Sequence, residues 1–274
     1  MKSLTATILF LHLSTSVIKL HGQDVFPCSS RSCALADATV TLSDCWSVFG
    51  NQAGLSEITK PEIGLSFRNS FGLKELAIKS GMIILPIRST VYALSFVQYG
   101  KNLFKQEYYG FSYAKSITPD LKFGLQFHYF RQYFPEDNYY SGIWGLDLGI
   151  QVPLNKSFSL GLHIHNPYKT SIKTLNSKIQ YPSDIKLGAT LLFSESFIVY
   201  TELENNFNQQ ITARTAFEYT ILEKFIIRSG IVGKPYRFAA GFGFQINKTS
   251  IDLANSYHPY LGNTPSISFK YKIK

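Results

Sequence analysis

Two histidines, His163 and His165, stand two residues apart in a stretch where apolar and polar residues alternate. Residues two apart on a β-strand project from the same face, so both imidazoles would share one side of a sheet. His128 occupies the polar face of another alternating stretch. Imidazoles on a shared face can bind a metal ion or relay a proton. The sequence alone assigns no carboxylate or cysteine to such a site, so we predict no metal site and interpret these histidines as polar side chains facing a wet interior.

Glu202 and Glu204 also share one strand face, an arrangement that acid–base catalysis can use. Later alternating stretches carry Arg214, Arg228 and Arg237 on their polar faces. Pairing of opposite charges across strands is the simpler interpretation. The sequence contains no nucleophile motif, phosphate-binding loop or dinucleotide fingerprint. We therefore predict a protein that is not an enzyme and that uses no cofactor.

The elements that would position these side chains are β-strands. From Pro61 onward apolar and polar residues alternate with a period of two, as in Ile63, Leu65 and Phe67. The repeats indicate about fourteen strands, several of them about ten residues long, the length at which a tilted strand crosses a bilayer. A soluble β-sandwich commonly has strands of about five or six residues. We predict an all-β fold, a transmembrane antiparallel β-barrel of about fourteen strands over residues 61–274.

One face of each strand would contact lipid and the other would line the lumen. In the second strand, Ile78, Met82 and Ile84 continue the apolar pattern. The residues expected to face the lumen interrupt the alternating strands with a charge or an imidazole: Lys122, His128, Asp147, His163, His165, Lys186, Glu202, Glu204, Arg214, Glu218, Arg228 and Arg237.

Short and longer connections alternate along the chain. Asn155–Lys156 and Asn247–Lys248 predict tight turns, whereas 131–138, 166–182 and 258–264 are longer. Outer-membrane barrels have short periplasmic turns and longer external loops. The pattern predicts a barrel in the outer membrane of a Gram-negative bacterium, with both termini in the periplasm.

Composition and charge exclude some classes of partner. The chain of 274 residues is 45% hydrophobic and only 16% charged, with a formal net charge of +9. Its Lys and Arg residues are scattered singly, which indicates solvated charges and predicts no nucleic-acid partner. Residues 1–23 contain a lysine, an apolar run and a polar end, the layout of a secretory signal peptide. An uncleaved membrane anchor is the alternative.

The segment between this leader and the barrel, residues 24–60, contains all three cysteines, Cys28, Cys33 and Cys45. An exported chain can form disulfides, so one pair and one leftover thiol are possible, but the sequence does not specify the pairing. Irregular spacing and the absence of a nearby histidine argue against a zinc site. Small buried residues are the simpler interpretation.

The same segment carries a run of small and polar residues with recognisable spacing: Arg31, Ala34, Ala38, Val40, Asp44, Asn51, Ala53, Gly54 and Leu55. This run resembles the N-terminal signature of the FadL-like outer-membrane proteins and their PorV/PorQ branch. The sequence departs from that signature at Ser29, Ser30, Asp37 and Gln52, the last of which replaces a proline. The resemblance implies a small segment at the barrel mouth, and we name residues 24–60 the hatch.

The resemblance also implies a role for the hatch, with Arg31, Asp44, Asn51 and Gly54 as candidate gating residues. PorV/PorQ-like barrels are accessories of the type IX secretion system that receive secreted proteins or contact secretion-machine components, and the modest external loops here favour that role. FadL-like members pass small hydrophobic molecules across the outer membrane, which is the alternative. A purely structural barrel is a third hypothesis. In each case we expect a monomer surrounded by outer-membrane lipid.

Overall fold

The computed structural model describes residues 28–101, 104–135, 139–173, 178–206, 211–233 and 235–273. The expected signal peptide, residues 1–23, and the start of the hatch lie outside these residues. In the described part of the chain, fourteen antiparallel strands form a closed barrel, which confirms the predicted fold class. No helix among these residues has the length and apolar character needed to cross a bilayer.

Sixteen strands occur in the described residues, of which β8 and β9 form a separate two-stranded sheet and the others form the barrel. Their bounds are β1 Glu62–Asn69, β2 Ala77–Ile87, β3 Thr90–Lys101, β4 Phe104–Thr118, β5 Leu121–Phe134, β6 Tyr139–Pro153, β7 Phe158–His165, β8 Ser171–Lys173, β9 Lys178–Gln180, β10 Asp184–Ser194, β11 Phe197–Asn206, β12 Thr212–Ile221, β13 Phe225–Val232, β14 Arg237–Ile246, β15 Thr249–His258 and β16 Gly262–Lys272.

The barrel closes where the first strand meets the last. Leu65 of β1 pairs with Phe269 of β16 on one side and with Gly81 of β2 on the other. Every other barrel strand pairs with its neighbours in chain order, except that β7 pairs with β10. The β8–β9 hairpin lies in the connection between these two strands. Closure of the barrel leaves no strand edge with unpaired backbone N–H and C=O groups, which would be unfavourable in the interior of a membrane.

The outer face of the wall is apolar, as the alternation predicts. Leu65 and Trp144 are 66% and 73% exposed, as expected for side chains that contact lipid. In β2 the pattern differs from the prediction, because Ile78, Met82 and Ile84 are only 5%, 4% and 0% exposed and face inward. Met82 and Ile84 pack on Trp46 and Leu55 of the hatch, so this part of the lumen wall is apolar where it covers another part of the chain.

The two ends of the barrel have different connections. One end carries the tight turns, such as those joining β2 to β3 and β14 to β15. The other end carries most of the longer connections, including residues 166–183 with the β8–β9 hairpin. The long connection predicted over 258–264 is wrong, because strand pairing continues to His258 and Gly262 and leaves a tight turn.

The hatch lies inside the barrel as three short helical pieces joined by extended chain. Helix α1 spans Ser30–Ala34, and two 3-10 turns span Cys45–Phe49 and Gln52–Glu57. Each begins at a polar residue whose side chain accepts a backbone N–H: Ser29, Asp44 and Asn51 respectively. Such caps satisfy the donors that a short helix leaves unpaired, which explains why a segment rich in small polar residues folds locally.

Burial shows that the core of this protein lies between hatch and wall. Leu35, Val48 and Leu55 of the hatch are fully buried, and Val40 is 1% exposed. Each fully buried aliphatic side chain contributes about 1.5–3 kcal/mol relative to an exposed one. The hatch therefore packs as an integral part of the barrel interior.

Candidate functional site

Asn51 holds the middle of the hatch against the wall. Its Nδ2 lies 2.7 Å from the carbonyl oxygen of Val40, 3.0 Å from that of Ile150 and 3.2 Å from that of Leu162. Its Oδ1 accepts the N–H of Ala53 at 3.1 Å. Gly149 leaves the necessary space, because a Cβ there would collide with Asn51 Oδ1. One side chain thus joins two parts of the hatch to strands β6 and β7.

Glu202 anchors a second part of the hatch. Its carboxylate accepts the backbone N–H groups of Thr39 and Val40 at 2.7 and 2.9 Å. The other oxygen accepts from Arg214 Nη1 at 3.1 Å, and Arg214 also contacts Glu204. The two glutamates therefore share an arginine partner, as expected from the sequence. Both carboxylates are ion-paired, and Glu202 in addition attaches the hatch to β11.

Arg31 connects the hatch to a row of charged residues on strands β12, β13 and β15. Its guanidinium lies 2.5 Å from Asp44 within the hatch and 3.1 Å from Glu218 of β12. Glu218 in turn lies 2.5 Å from Arg228, which lies 2.6 Å from Asp252 of β15. A cavity of about 120 Å³ beside these charged residues is lined partly by Trp46 and Lys270, together with the charged residues themselves.

The charge of Asp44 depends on this arrangement. Burial alone would raise the pKa of its carboxyl, but the charges of Arg31 and Lys270 and the hydrogen bonds to this carboxylate together hold the pKa below its ordinary value. The same carboxylate caps the 3-10 turn Cys45–Phe49 through the N–H of Trp46 at 2.9 Å. Asp44 therefore couples the position of that turn to the ion pair with Arg31.

Gly54 lies where the hatch folds back upon itself. A Cβ at this position would meet the carbonyl oxygen of Leu42, the Ser47 hydroxyl and the Gln151 amide. The carbonyl is backbone and cannot move aside cheaply. Gly54 is thus needed for close approach, and Gln151 fills the neighbouring space by donating to the Leu42 carbonyl at 2.9 Å.

The remaining charged residues predicted to face the lumen do so. Lys122 lies 2.7 Å from Glu57 at the end of the hatch, and Lys186 lies 3.9 Å from Glu204. Arg237 stands at the start of β14 on the inward face, half-buried.

The histidines divide into two groups. His128 and His165 lie on either side of Asp147, with Nδ1 to carboxylate distances of 3.2 and 2.6 Å. His163 is also buried but lies outside this group. The sequence assigned no carboxylate to these histidines, and the structure corrects this. The tight turn at Asn155–Lys156 contains the missing signal, because it places Asp147 opposite His165 in the β6–β7 pairing.

An apolar cluster lies in the lumen toward the end with the longer connections. The buried members come from the wall and the long connection, except for Cys28 of the hatch: Cys28, Ile78, Val97, Tyr99, Tyr108, Phe130, Ile172 and Tyr181. Phe49 of the hatch packs against them. A small cavity of about 10 Å³ adjoins Phe49, Gly50 and Tyr108. The cluster could not be predicted from the sequence because its members come from separate strands and from the hatch.

The three cysteines are all buried, at 3%, 1% and 0% exposure for Cys28, Cys33 and Cys45. Burial raises the pKa of the Cys33 and Cys45 thiols above the ordinary value, which keeps them protonated at neutral pH. They pack as small residues against the barrel wall.

The closed barrel, its apolar outer belt and its polar, hatch-filled lumen together define the class of an outer-membrane β-barrel. No protein-family model matches the chain, and no curated protein matches it. Solved structures do match. The CymD monoaromatic hydrocarbon channel aligns with a TM-score of 0.72 at 10% identity, over 92% of this chain and 99% of its own.

Two further structures agree with this match. The toluene transporter TodX of P. putida aligns with a TM-score of 0.70 at 11% identity, over 91% of this chain and 99% of its own. A FadL homologue of Pseudomonas aeruginosa aligns with a TM-score of 0.68 at 13% identity, again over 91% and 99%. The chain therefore has the fold of FadL- and TodX-type outer-membrane barrels.

Proposed function

We propose that this protein is an outer-membrane channel for small hydrophobic solutes. The observation that carries the proposal is the apolar cluster inside an otherwise polar lumen, at the end with the longer connections. Apolar side chains directed into a wet interior lose the favourable burial that lipid or core contacts would give, unless something apolar covers them. Here Phe49 of the hatch covers part of the cluster. The cluster members are buried, so a solute entering from this end would reach them by displacing Phe49.

The fold supports the same proposal. The matching structures are described as hydrocarbon channels and toluene transporters. The PorV/PorQ-like accessory role, which the sequence resemblance favoured, receives no comparable support from these matches. The hydrophobic-solute channel is therefore the better proposal.

The hatch would control passage through the turn Cys45–Phe49. This turn ends in Phe49, which packs on the apolar cluster, and begins at Asp44, which is paired with Arg31. Asn51 holds the chain immediately after it. A solute that displaced Phe49 would need this turn to shift while the anchors on either side held the rest of the hatch in place.

We further propose that the tight turns face the periplasm. In outer-membrane barrels the longer connections are external, so the apolar cluster would lie on the external side of the hatch. The last strand ends at Lys272 at the opposite end, beside Glu62. A protease site inserted at residues 223–224 should then be resistant in intact cells, and one inserted at 260–261 should be cut; the reverse result would contradict the orientation.

The uptake of radiolabelled toluene tests the function. The protein is expressed in a Gram-negative host whose lipopolysaccharide layer is intact, and initial uptake is compared with that of a vector control. Val97→Trp fills the apolar cluster, whereas Leu94→Trp places the same side chain on the lipid face of the same strand, at a site that is 54% exposed. Both variants should remain heat-modifiable on gels.

We expect wild-type uptake above the control, a return toward control with Val97→Trp, and wild-type uptake with Leu94→Trp. Wild-type uptake equal to the vector control would contradict the channel. Recovery of secreted proteins or secretion-machine components from detergent-solubilised membranes, without toluene uptake, would instead support the accessory role.

A further inference from the structure

Three buried side chains from adjacent strands meet in the lumen wall: His128 of β5, Asp147 of β6 and His165 of β7. The two imidazole rings stack nearly parallel, with centroids 5.2 Å apart and planes 13° apart. One nitrogen of each ring and one carboxylate oxygen all lie within 4.8 Å of one another. We name these three residues the His–Asp–His cluster.

The cluster is buried and only partly hydrogen-bonded. His128 and His165 are fully buried and Asp147 is 2% exposed. Both Nδ1 atoms contact the Asp147 carboxylate, but among the described residues neither Nε2 atom has a hydrogen-bond partner. Buried polar groups are almost always partnered, so two unpartnered nitrogens beside a carboxylate shared by two imidazoles point to an occupant.

The surroundings hold the carboxylate in a fixed position. The Tyr108 hydroxyl lies 3.1 Å from Asp147 Oδ2 and 2.6 Å from Gln126 Oε1, and the backbone N–H of Asn166 donates to Asp147 Oδ1 at 3.3 Å. The Tyr108 ring also stacks on His128, with centroids 4.8 Å apart. Partners of this kind orient the ligands of metal sites in proteins.

A glycine makes room for the first imidazole. Gly145 is the cross-strand partner of His128, and a Cβ at Gly145 would collide with His128 Nε2. The ring therefore lies over bare backbone with its Nδ1 toward Asp147. The β6–β7 register brings the second imidazole, because Asp147 pairs directly with His165.

We propose that the His–Asp–His cluster binds one divalent first-row transition metal ion, with Zn²⁺ as the expected occupant. Two imidazole nitrogens and a carboxylate oxygen suit Zn²⁺ and Cu²⁺, whereas Mg²⁺ and Ca²⁺ favour oxygen ligands alone. The ion would join one nitrogen of each ring to the Asp147 carboxylate and would offset its buried charge. The adjoining cavity has a volume of about 10 Å³, enough for about one water molecule at a remaining coordination position.

Isothermal titration of the full-length barrel in detergent with Zn²⁺ tests the site. The wild type should bind one equivalent, and Mg²⁺ should produce no comparable binding. His165→Gln should weaken the affinity by more than about 100-fold, since loss of a supporting residue alone typically costs 10–100-fold. His163→Gln is the matched control, because it removes a buried imidazole two residues away on the same face.

Equal loss of affinity in His163→Gln and His165→Gln would overturn the assignment, as would the absence of stoichiometric binding by the wild type. Electron paramagnetic resonance of the wild type with one equivalent of Cu²⁺ gives an answer that needs no variant to fold. Superhyperfine coupling from two imidazole nitrogens is expected. A spectrum without nitrogen coupling would overturn the proposal. This site does not depend on what the barrel transports.

Discussion

The carboxylate of Glu202, on β11, lies 2.9 Å from the backbone nitrogen of Val40 in the hatch. This hydrogen bond, and its neighbour to Thr39, attach a loop without regular structure to a rigid strand. Hydrogen bonds to an ionised acceptor are about twice as strong as neutral ones. Glu202 therefore holds this part of the hatch in place together with Gln151, whose Nε2 donates to the Val40 carbonyl at 3.2 Å.

Glu202→Gln should loosen the hatch around residues 39–40 while leaving the wall intact. Removing the charge should lower the local opening free energy by about 1–3 kcal/mol. Each 1.4 kcal/mol corresponds to about tenfold faster amide exchange. Hydrogen-exchange mass spectrometry of the peptide covering 38–42 measures the change. Glu195→Gln, in an exposed turn, should leave that peptide unchanged; equal acceleration in both variants would contradict the role of Glu202.

Acidification should release the turn that Asp44 caps. Because the pKa of Asp44 is lowered in the folded protein, its ion pair contributes stability that is fully present above the ordinary value of 3.8 and is lost as the pH falls below it. Trp46 lies in this turn and is 4% exposed, so its fluorescence reports the change in a Trp144→Phe background, where it is the only tryptophan.

The expected result is a fluorescence transition as the pH falls below about 4. Asp44→Asn removes the titrating group, so the transition should shrink or disappear, although the turn itself should be less stable at neutral pH. An unchanged pH profile in Asp44→Asn would show that other carboxyl groups cause the transition.

Gly54→Ala should displace the hatch without breaking the barrel. The added methyl group would collide with the Leu42 carbonyl, so either the loop at 42 or the turn at 52–57 must move. Acrylamide quenching of Trp46 should increase as a result. Gly81→Ala is the control, because its methyl group would meet the flexible Leu65 side chain at 3.2 Å and no backbone atom closer than 3.8 Å. Equal quenching of Trp46 in wild type and Gly54→Ala would contradict this account.

Deleting residues 29–51 should leave a barrel whose ring of strands is closed and whose lumen is open. Strand pairing is continuous from β1 through β16, so the wall does not require hatch hydrogen bonds for its ladder. The variant should migrate as a heat-modifiable band and conduct ions steadily in planar bilayers, whereas the wild type should conduct poorly. Arg31→Ala should give a smaller increase. Failure of the deletion variant to assemble would show that the hatch is a scaffold and not a gate.

The wall could be predicted from sequence because each strand carries its own signal. Alternation with a period of two identifies the faces, and Asn-containing turns fix the hairpins. The same signal misassigned Met82 and Ile84, because an apolar side chain facing lipid and one facing the hatch look alike in sequence. The capped turns of the hatch were similarly hidden, since their stability depends on enclosure by the wall.

The contacts between distant residues were the least predictable part. Arg31 and Glu218 are separated by 187 positions, and no local pattern relates them. Their meeting depends on the strand order and on the path of the hatch through the lumen. By contrast, the proximity of Asp147 and His165 follows from one hairpin, and its register could have been read from the turn at residues 155–156.

The pairing of β1 with β16 has a consequence for the order of assembly. The hatch precedes β1 in the chain, yet the ring of strands cannot be completed until β16 has been made and has docked. Because the hatch lies inside the ring of strands, it is simplest for the strands to wrap around it before the last junction forms. Assembly would then enclose a hatch that has already folded, and the pairing of β1 with β16 would be the last step.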